Sequence, residues 1–128
     1  MSRNALIADT NSFSRNIIQQ MISSLGYWYT IHHVTDGSQA LYRLQSLESV
    51  ELVIASDAMV PMNGLQLLRM VREDIRFKAL PFILILSEVD KQVIQTAKEL
   101  SVSSILLRPF SKDTLRKHMT NILGDVMV

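Results

Sequence analysis

Short apolar runs alternate with longer amphipathic stretches along this chain, and that alternation narrows the possible folds more than any other feature. Ala5–Ala8, Leu52–Ala55, Phe82–Leu86 and Ile105–Leu107 are continuously apolar. A strand wetted on one face alternates polar with apolar, whereas an unbroken run belongs to a strand buried on both faces, as in a parallel sheet. A fifth segment, Tyr29–Val34, is more mixed and suits an edge. Helical patterns fill the gaps. Phe13, Ile17, Met21 and Leu25 recur every four residues, widened by Ile18 and Ile22 and stopped at Gly26. Three more stripes follow: Ala40, Leu41, Leu44 and Leu47; Leu65, Leu68, Val71 and Ile75 after Gly64; and Val93, Ile94, Ala97 and Leu100 behind Asp90 as N-cap. Leu115, Met119, Ile122 and Leu123 form the last, with Ser111 as N-cap and Asp113 in the first turn. Strand and helix therefore alternate five times. Right-handed crossovers turn that order into an α/β fold, a doubly wound five-stranded parallel sheet with helices on both faces.

At 128 residues, with no linker, repeat or low-complexity tract, one domain over residues 1–128 is expected. The 48% hydrophobic content excludes disorder. The absence of cysteine excludes disulfides, thiolate metal sites and a cysteine nucleophile. Thirteen Lys and Arg against twelve Asp and Glu give no general attraction to nucleic acid or anionic membranes. The imbalance that exists is local, with bases in excess after residue 60. No apolar run approaches the roughly 20 residues of a membrane span, and the start lacks a signal-peptide core. A cytoplasmic protein is expected, with neither membrane nor nucleic acid as partner; no helix-turn-helix pattern follows residue 123.

In doubly wound sheets, ligands and chemistry gather at the carboxyl ends of the strands. The residues to weigh are Asp9 and Thr10, Ser56 and Asp57, Leu86 and Ser87, and Arg108 with Pro109. No glycine follows the first strand, so neither a dinucleotide turn nor a P-loop passes through Asp9-Thr10-Asn11-Ser12. His32 and His33 are strand neighbours and face opposite ways, while His118 lies on the last helix. No nucleophilic triad and no metal-ligand spacing emerge, so enzymatic activity, a resident metal and a cofactor are not expected. One carboxylate is a poor ligand set for a hard divalent cation. Arg108 is a permanent cation at the end of the last strand. An Asp9–Arg108 ion pair is the expectation; the alternative has Arg108 reaching outward and Asp9 capping the first helix.

Several segments resemble the response-regulator receiver domain, the CheY-like superfamily of two-component signalling. Leu6-Ile7-Ala8-Asp9 with Arg15 is similar to that family's first strand and acidic pair. Thr35-Asp36-Gly37 with Ala40-Leu41 resembles the opening of its second helix. Glu51–Ala55 followed by Met59, Met62, Asn63 and Gly64 resembles the third strand and its loop, and Pro81–Leu86 with Arg108-Pro109-Phe110 the fourth strand and the end of the fifth. The resemblance implies a flavodoxin-like sheet in the order 2-1-3-4-5. It also implies phosphoryl transfer from a histidine kinase to an aspartate, supported by magnesium, a Thr or Ser, a Lys and an aromatic switch residue.

Position by position, this chain departs from that pattern. Asp9 matches the first acid, but Thr10 stands where the second belongs. Counting from either side puts Ser56 at the nucleophile position and Asp57 one residue late, on the opposite face of a regular strand. A local bulge would bring Asp57 inward. Leu86 takes the Thr/Ser position with Ser87 after it, Arg108 the Lys position and Ile105 the aromatic switch position. Pro109 resembles a proline that is cis in the family.

The expected function is therefore that of an atypical receiver, a pseudo-receiver: a phosphorylation-independent protein-interaction module in two-component or related signalling. The alternative is a residual phosphoacceptor using Asp57 with Asp9 and magnesium; a small-ligand sensor is a more distant third. The partner expected is another signalling protein, a kinase or an output domain. It would dock on the fourth helix, fifth strand and fifth helix, a surface that in relatives also forms homodimers. Lys91, Gln95, Lys98, Lys112, Arg116 and Lys117 would supply its polar groups, and Ile105 and Leu106 its apolar contacts. The plainer alternative is that these lysines only keep the helices solvated.

Overall fold

The structure, a computed structural model, describes residues 3–124. The expectations about targeting and about a following DNA-binding motif rest partly on residues before and after these, outside the described range. Five strands and five helices alternate: β1 (Asn4–Ala8), α1 (Ser12–Ser24), β2 (Thr30–Val34), α2 (Gly37–Ser46), β3 (Val50–Ser56), α3 (Gly64–Glu73), β4 (Phe82–Leu86), α4 (Lys91–Glu99), β5 (Ser104–Leu107) and α5 (Lys112–Leu123). A single turn of 3-10 helix, Ile75–Phe77, follows α3. The strands form one parallel sheet in the order β2-β1-β3-β4-β5. This is the flavodoxin-like doubly wound arrangement.

Strand parity divides the apolar side chains into two layers. Ala5, Ile7, Leu52, Ile54, Ile83, Ile85 and Leu106 pack under α1 and α5, against Ile18, Ile22, Leu115 and Met119. Leu6, Ala8, Val53, Ala55, Phe82, Leu84 and Leu86 pack under α2, α3 and α4, against Ala40, Leu44, Leu67, Leu68, Val71 and Ala97. Each helix is started by a side chain that accepts from first-turn amides: Asn11, Asp36, Asn63, Asp90 and Ser111. Asn63 and Gln66 complete a reciprocal capping box at α3.

Three expectations are corrected. The stripe Phe13-Ile17-Met21-Leu25 is not the buried centre of α1: Ile18 and Ile22 are, while Phe13 is 72% exposed and Ile17 is exposed. A helix repeats every 3.6 residues, so a strict four-residue step drifts around the cylinder and off the core face. Ile75 is not on the α3 stripe, because that helix ends at Glu73 and Ile75 is exposed in the 3-10 turn. Leu106 offers no contact to a partner, because it is buried in the α1–α5 layer; its neighbour Leu107 is the exposed one.

Candidate functional site

The carboxyl ends of β1, β3 and β5 meet at one polar cleft, lined by Asp9, Thr10, Asn11, Ser14, Ser56, Ala58, Ser87 and Arg108. Parallel pairing aligns these ends, since Ala8 pairs with Ala55, and β4 lies between β3 and β5. The cleft is therefore a product of topology as well as sequence.

Asp9 is buried and fully engaged. Its Oδ2 accepts from Arg108 Nη2 at 2.6 Å, and its Oδ1 accepts from the backbone N–H of Asn11 at 3.0 Å. Arg108 also donates through Nη1 to Ser14 Oγ at 2.7 Å. The guanidinium thus spans from the end of β1 to the first turn of α1. A lysine would place a single point charge there and could not hold both partners in one fixed fork. Asn11, not Asp9, is the cap of α1. Arg108 and Pro109 are joined by a cis peptide bond, as are Val60 and Pro61.

Ser56 ends β3 with its side chain toward the cleft, and its Oγ accepts from Ala58 N–H at 3.2 Å. Asp57 continues the ladder, donating its N–H to Ile85 at 2.9 Å, so no bulge intervenes. Its side chain therefore follows Val53 and Ala55 to the other face and does not line the cleft. There its Oδ1 is buried and meets no hydrogen-bond donor of the protein.

Leu86 does not line the cleft; it turns into the α2–α4 layer with 1% exposure, and Ser87, one residue past the strand, forms the rim instead. Even parity on β4 points away from α1, which is why Leu86 goes inward. Ile105 packs half-buried against that same layer. Thr10 lies on the rim, its hydroxyl donating to Thr35 O at 3.3 Å.

Two contributors escaped the sequence reading. Ser14 supplies the second anchor of Arg108, and only its place in the first turn of α1, just past the end of β1, could have signalled it. Arg15 clamps the loop after β1, donating through Nη1 to Asp9 O at 2.5 Å and through Nε to His33 Nδ1 at 3.2 Å. His33 Nε2 meets Gln19 Oε1 at 2.5 Å, while on the opposite face His32 lies between Asn4 at 2.9 Å and Arg43 at 3.5 Å. Both imidazoles have lowered pKa values, first through burial and then through the adjacent arginine.

Of the expected docking residues, Lys91, Lys98 and Lys112 are exposed. Gln95 donates to Glu99 at 3.2 Å, and Arg116 and Lys117 both pair with Asp113, at 2.8 and 3.4 Å. His118 bonds Ser104 on β5. Arg116 stands two residues from His118, about 200° around the helix, and so faces away from β5.

The donor set does not fit magnesium. A divalent ion of this kind wants several oxygen ligands, carboxylates foremost. The cleft has one carboxylate, with one oxygen held by Arg108 and the other by an amide, and Asp57 lies on the far side of the strand. Among the described residues no three His, Cys, Asp or Glu converge as ligands.

A doubly wound 2-1-3-4-5 sheet whose β1, β3 and β5 ends meet in a polar cleft defines a receiver-type domain. The chain belongs to the family described as the response regulator receiver domain, which matches residues 5–120, and it is a receiver domain of two-component signalling. It is 33% identical over 119 residues to chemotaxis protein CheY1 of Helicobacter pylori, covering 93% of this chain and 95% of that protein. It is 29% identical to a chemotaxis protein CheY homolog of Campylobacter jejuni, covering 93% and 91%. Its backbone is similar to chemotaxis protein CheY4 of Vibrio cholerae, with TM-score 0.84 and 23% identity over 96% of this chain and all of that one. The receiver domain of a Pseudomonas aeruginosa sensor histidine kinase, solved with magnesium in its active-site cleft, matches with TM-score 0.82 and 18% identity, covering 98% and 100%. Among the described residues no helix is long and apolar enough to cross a membrane.

Proposed function

We propose that this receiver works without aspartyl phosphorylation, as a non-enzymatic protein-interaction module in two-component or related signalling. One observation carries the reading: the single carboxylate of the cleft is neutralised from within the chain, by Arg108 on one oxygen and Asn11 N–H on the other. The charge that would hold a metal is already balanced. At the strand end where a nucleophile would stand, Ser56 shares the cleft with no free proton acceptor, because Arg108 is a permanent cation and both Asp9 oxygens are engaged, and a hydroxyl needs such activation to attack. The partner is another signalling protein, a kinase or output domain. It docks on the surface of α4, β5 and α5, where Lys91, Lys98 and Lys112 are exposed and Ile105 and Leu107 give apolar contact. Arg116 and Lys117, shared with Asp113, contribute less.

The test is incubation with acetyl phosphate and magnesium, followed by intact-mass measurement. The expected result is no phosphoryl adduct. A hydroxylamine-sensitive adduct that disappears in Asp57→Asn would replace this reading with the phosphoacceptor one. For the docking face, charge reversal at Lys91, Lys98 and Lys112 is expected to weaken partner binding; unchanged binding would move the partner elsewhere.

A further inference from the structure

His32 and His33 are neighbours on the edge strand β2 and face opposite layers, yet each ring is held in the same way. His33 pairs in register with Ile7 and points toward α1. Its Nδ1 accepts from Arg15 Nε at 3.2 Å, and its Nε2–H donates to Gln19 Oε1 at 2.5 Å. His32 pairs with Leu6 and points toward α2. Its Nδ1 faces Arg43 Nη1 at 3.5 Å, and its Nε2–H donates to Asn4 Oδ1 at 2.9 Å. Each ring is thus the neutral Nε2–H tautomer, with a carboxamide on one nitrogen and a guanidinium on the other. Arginine has no acceptor and does not give up its proton. A protonated imidazole has no lone pair left to receive it, so the arginine must withdraw.

Only His33 is linked to the strand-end cleft. The guanidinium it orients reaches on with Nη1 to the carbonyls of Asp9 and Thr10, at 2.5 and 3.4 Å. Those residues form the turn between β1 and α1, where the Asp9 carboxylate holds Asn11 N–H and Arg108. We infer that His33 is a proton-sensitive latch on this turn: neutral, it holds Arg15 against the two carbonyls; protonated, it drives Arg15 away and frees the turn that carries Asp9. The surroundings of the ring give a proton no compensation. Arg15 and Gln19 face it from α1, Ile7 lies beside it on β1, and Tyr42 and Arg43 of α2 share a surface depression with it. No carboxylate is among these groups. Burial and the Arg15 charge both lower the folded-state pKa below the ordinary 6.5. The latch is therefore closed at neutral pH and opens as the pH falls through that lowered value. On an edge strand the ring is half-buried, so protons reach it without unfolding. The inference is independent of whether the cleft accepts a phosphoryl group.

An NMR titration from about pH 7.5 to about pH 5 tests it, following the imidazole signals and the backbone order parameters of Thr10 and Asn11. At the alkaline end the expected result is the Nε2–H tautomer of His33 and order parameters near the roughly 0.85 of rigid backbone. At the acid end, with His33 protonated, those of Thr10 and Asn11 fall toward about 0.6, while those of Val53 and Ile54 in β3 stay constant. His32→Gln should leave this transition intact, because His32 does not touch the turn. His33→Gln should abolish it, since a neutral carboxamide accepts from Arg15 at every pH. Arg15→Gln should give the mobile turn at both ends of the range. A turn equally ordered at both ends in the unmutated protein, a transition that persists in His33→Gln, or one shared by Val53 and Ile54 overturns the inference. So does a transition lost in His32→Gln.

Discussion

Arg108 and Ser56 stand at equivalent strand ends, yet their removal has different costs. Arg108→Ala leaves the buried Asp9 carboxylate without its counter-ion. Breaking a buried pair from one side costs roughly 3–5 kcal/mol; Arg108 keeps about a quarter of its side chain exposed, which puts the loss near the lower end. Ser56→Ala removes one part-buried hydrogen bond, from the Ala58 amide, worth about 1 kcal/mol. Urea titration should rank them in that order, and an equal loss would mean the ion pair is solvated. At this scale the sequence was legible wherever register decides: parity alone separated Ser56 from Asp57. It was not legible where a side chain reaches across elements. Nothing in the order of residues says that Ser14 meets Arg108, 94 positions away. Leu86 shows the intermediate case, where the position in the pattern was readable but its direction depended on which layer β4 feeds.

Among the elements, the loop between β3 and α3 is held by close backbone approach. A Cβ on Gly64 would lie 2.3 Å from Ser56 O and 2.8 Å from Leu84 Cδ1. Gly64→Ala must therefore push α3 off the end of β3, and its melting temperature should fall by more than that of Asn63→Ala, which removes the α3 cap for about 1 kcal/mol. At the opposite end of the helix, the Arg72 guanidinium donates to the carbonyls of Phe77, Leu80, Leu100 and Ser101. It ties the ends of α3 and α4 to the segment before β4. Arg72→Ala should open these chain segments first, seen as faster amide exchange around residues 77–82 and 100–103 with slower change at β1. Helix caps at Asp90 and Ser111 were readable from composition because a cap is a local device. The Arg72 clamp was not, because carbonyl acceptors leave no mark in a sequence.

For the whole molecule, the two edge-strand histidines set an acid limit. Both have folded-state pKa values below the ordinary 6.5, so the unfolded chain binds more protons between the two values. Their contribution is fully present above about pH 6.5. It is lost as the pH falls through the folded-state values, where Arg15 and Arg43 would each face a second cation. Stability measured by denaturant should decline from pH 7 to 5, and His32→Gln with His33→Gln should flatten that slope; an unchanged slope would assign it to the carboxylates. The architecture itself was the most legible level, because four unbroken apolar runs and one mixed edge segment, each followed by an amphipathic stripe, fix both layers at once. A last consequence follows from Arg108 and Ser14, which wall both the strand-end cleft and a groove between α1 and Pro109-Phe110. Two sites that share a wall are thermodynamically linked. Whatever fills the groove and reorients the guanidinium changes the affinity of the cleft for any ligand of its own, and that ligand must change the groove's affinity by the same factor.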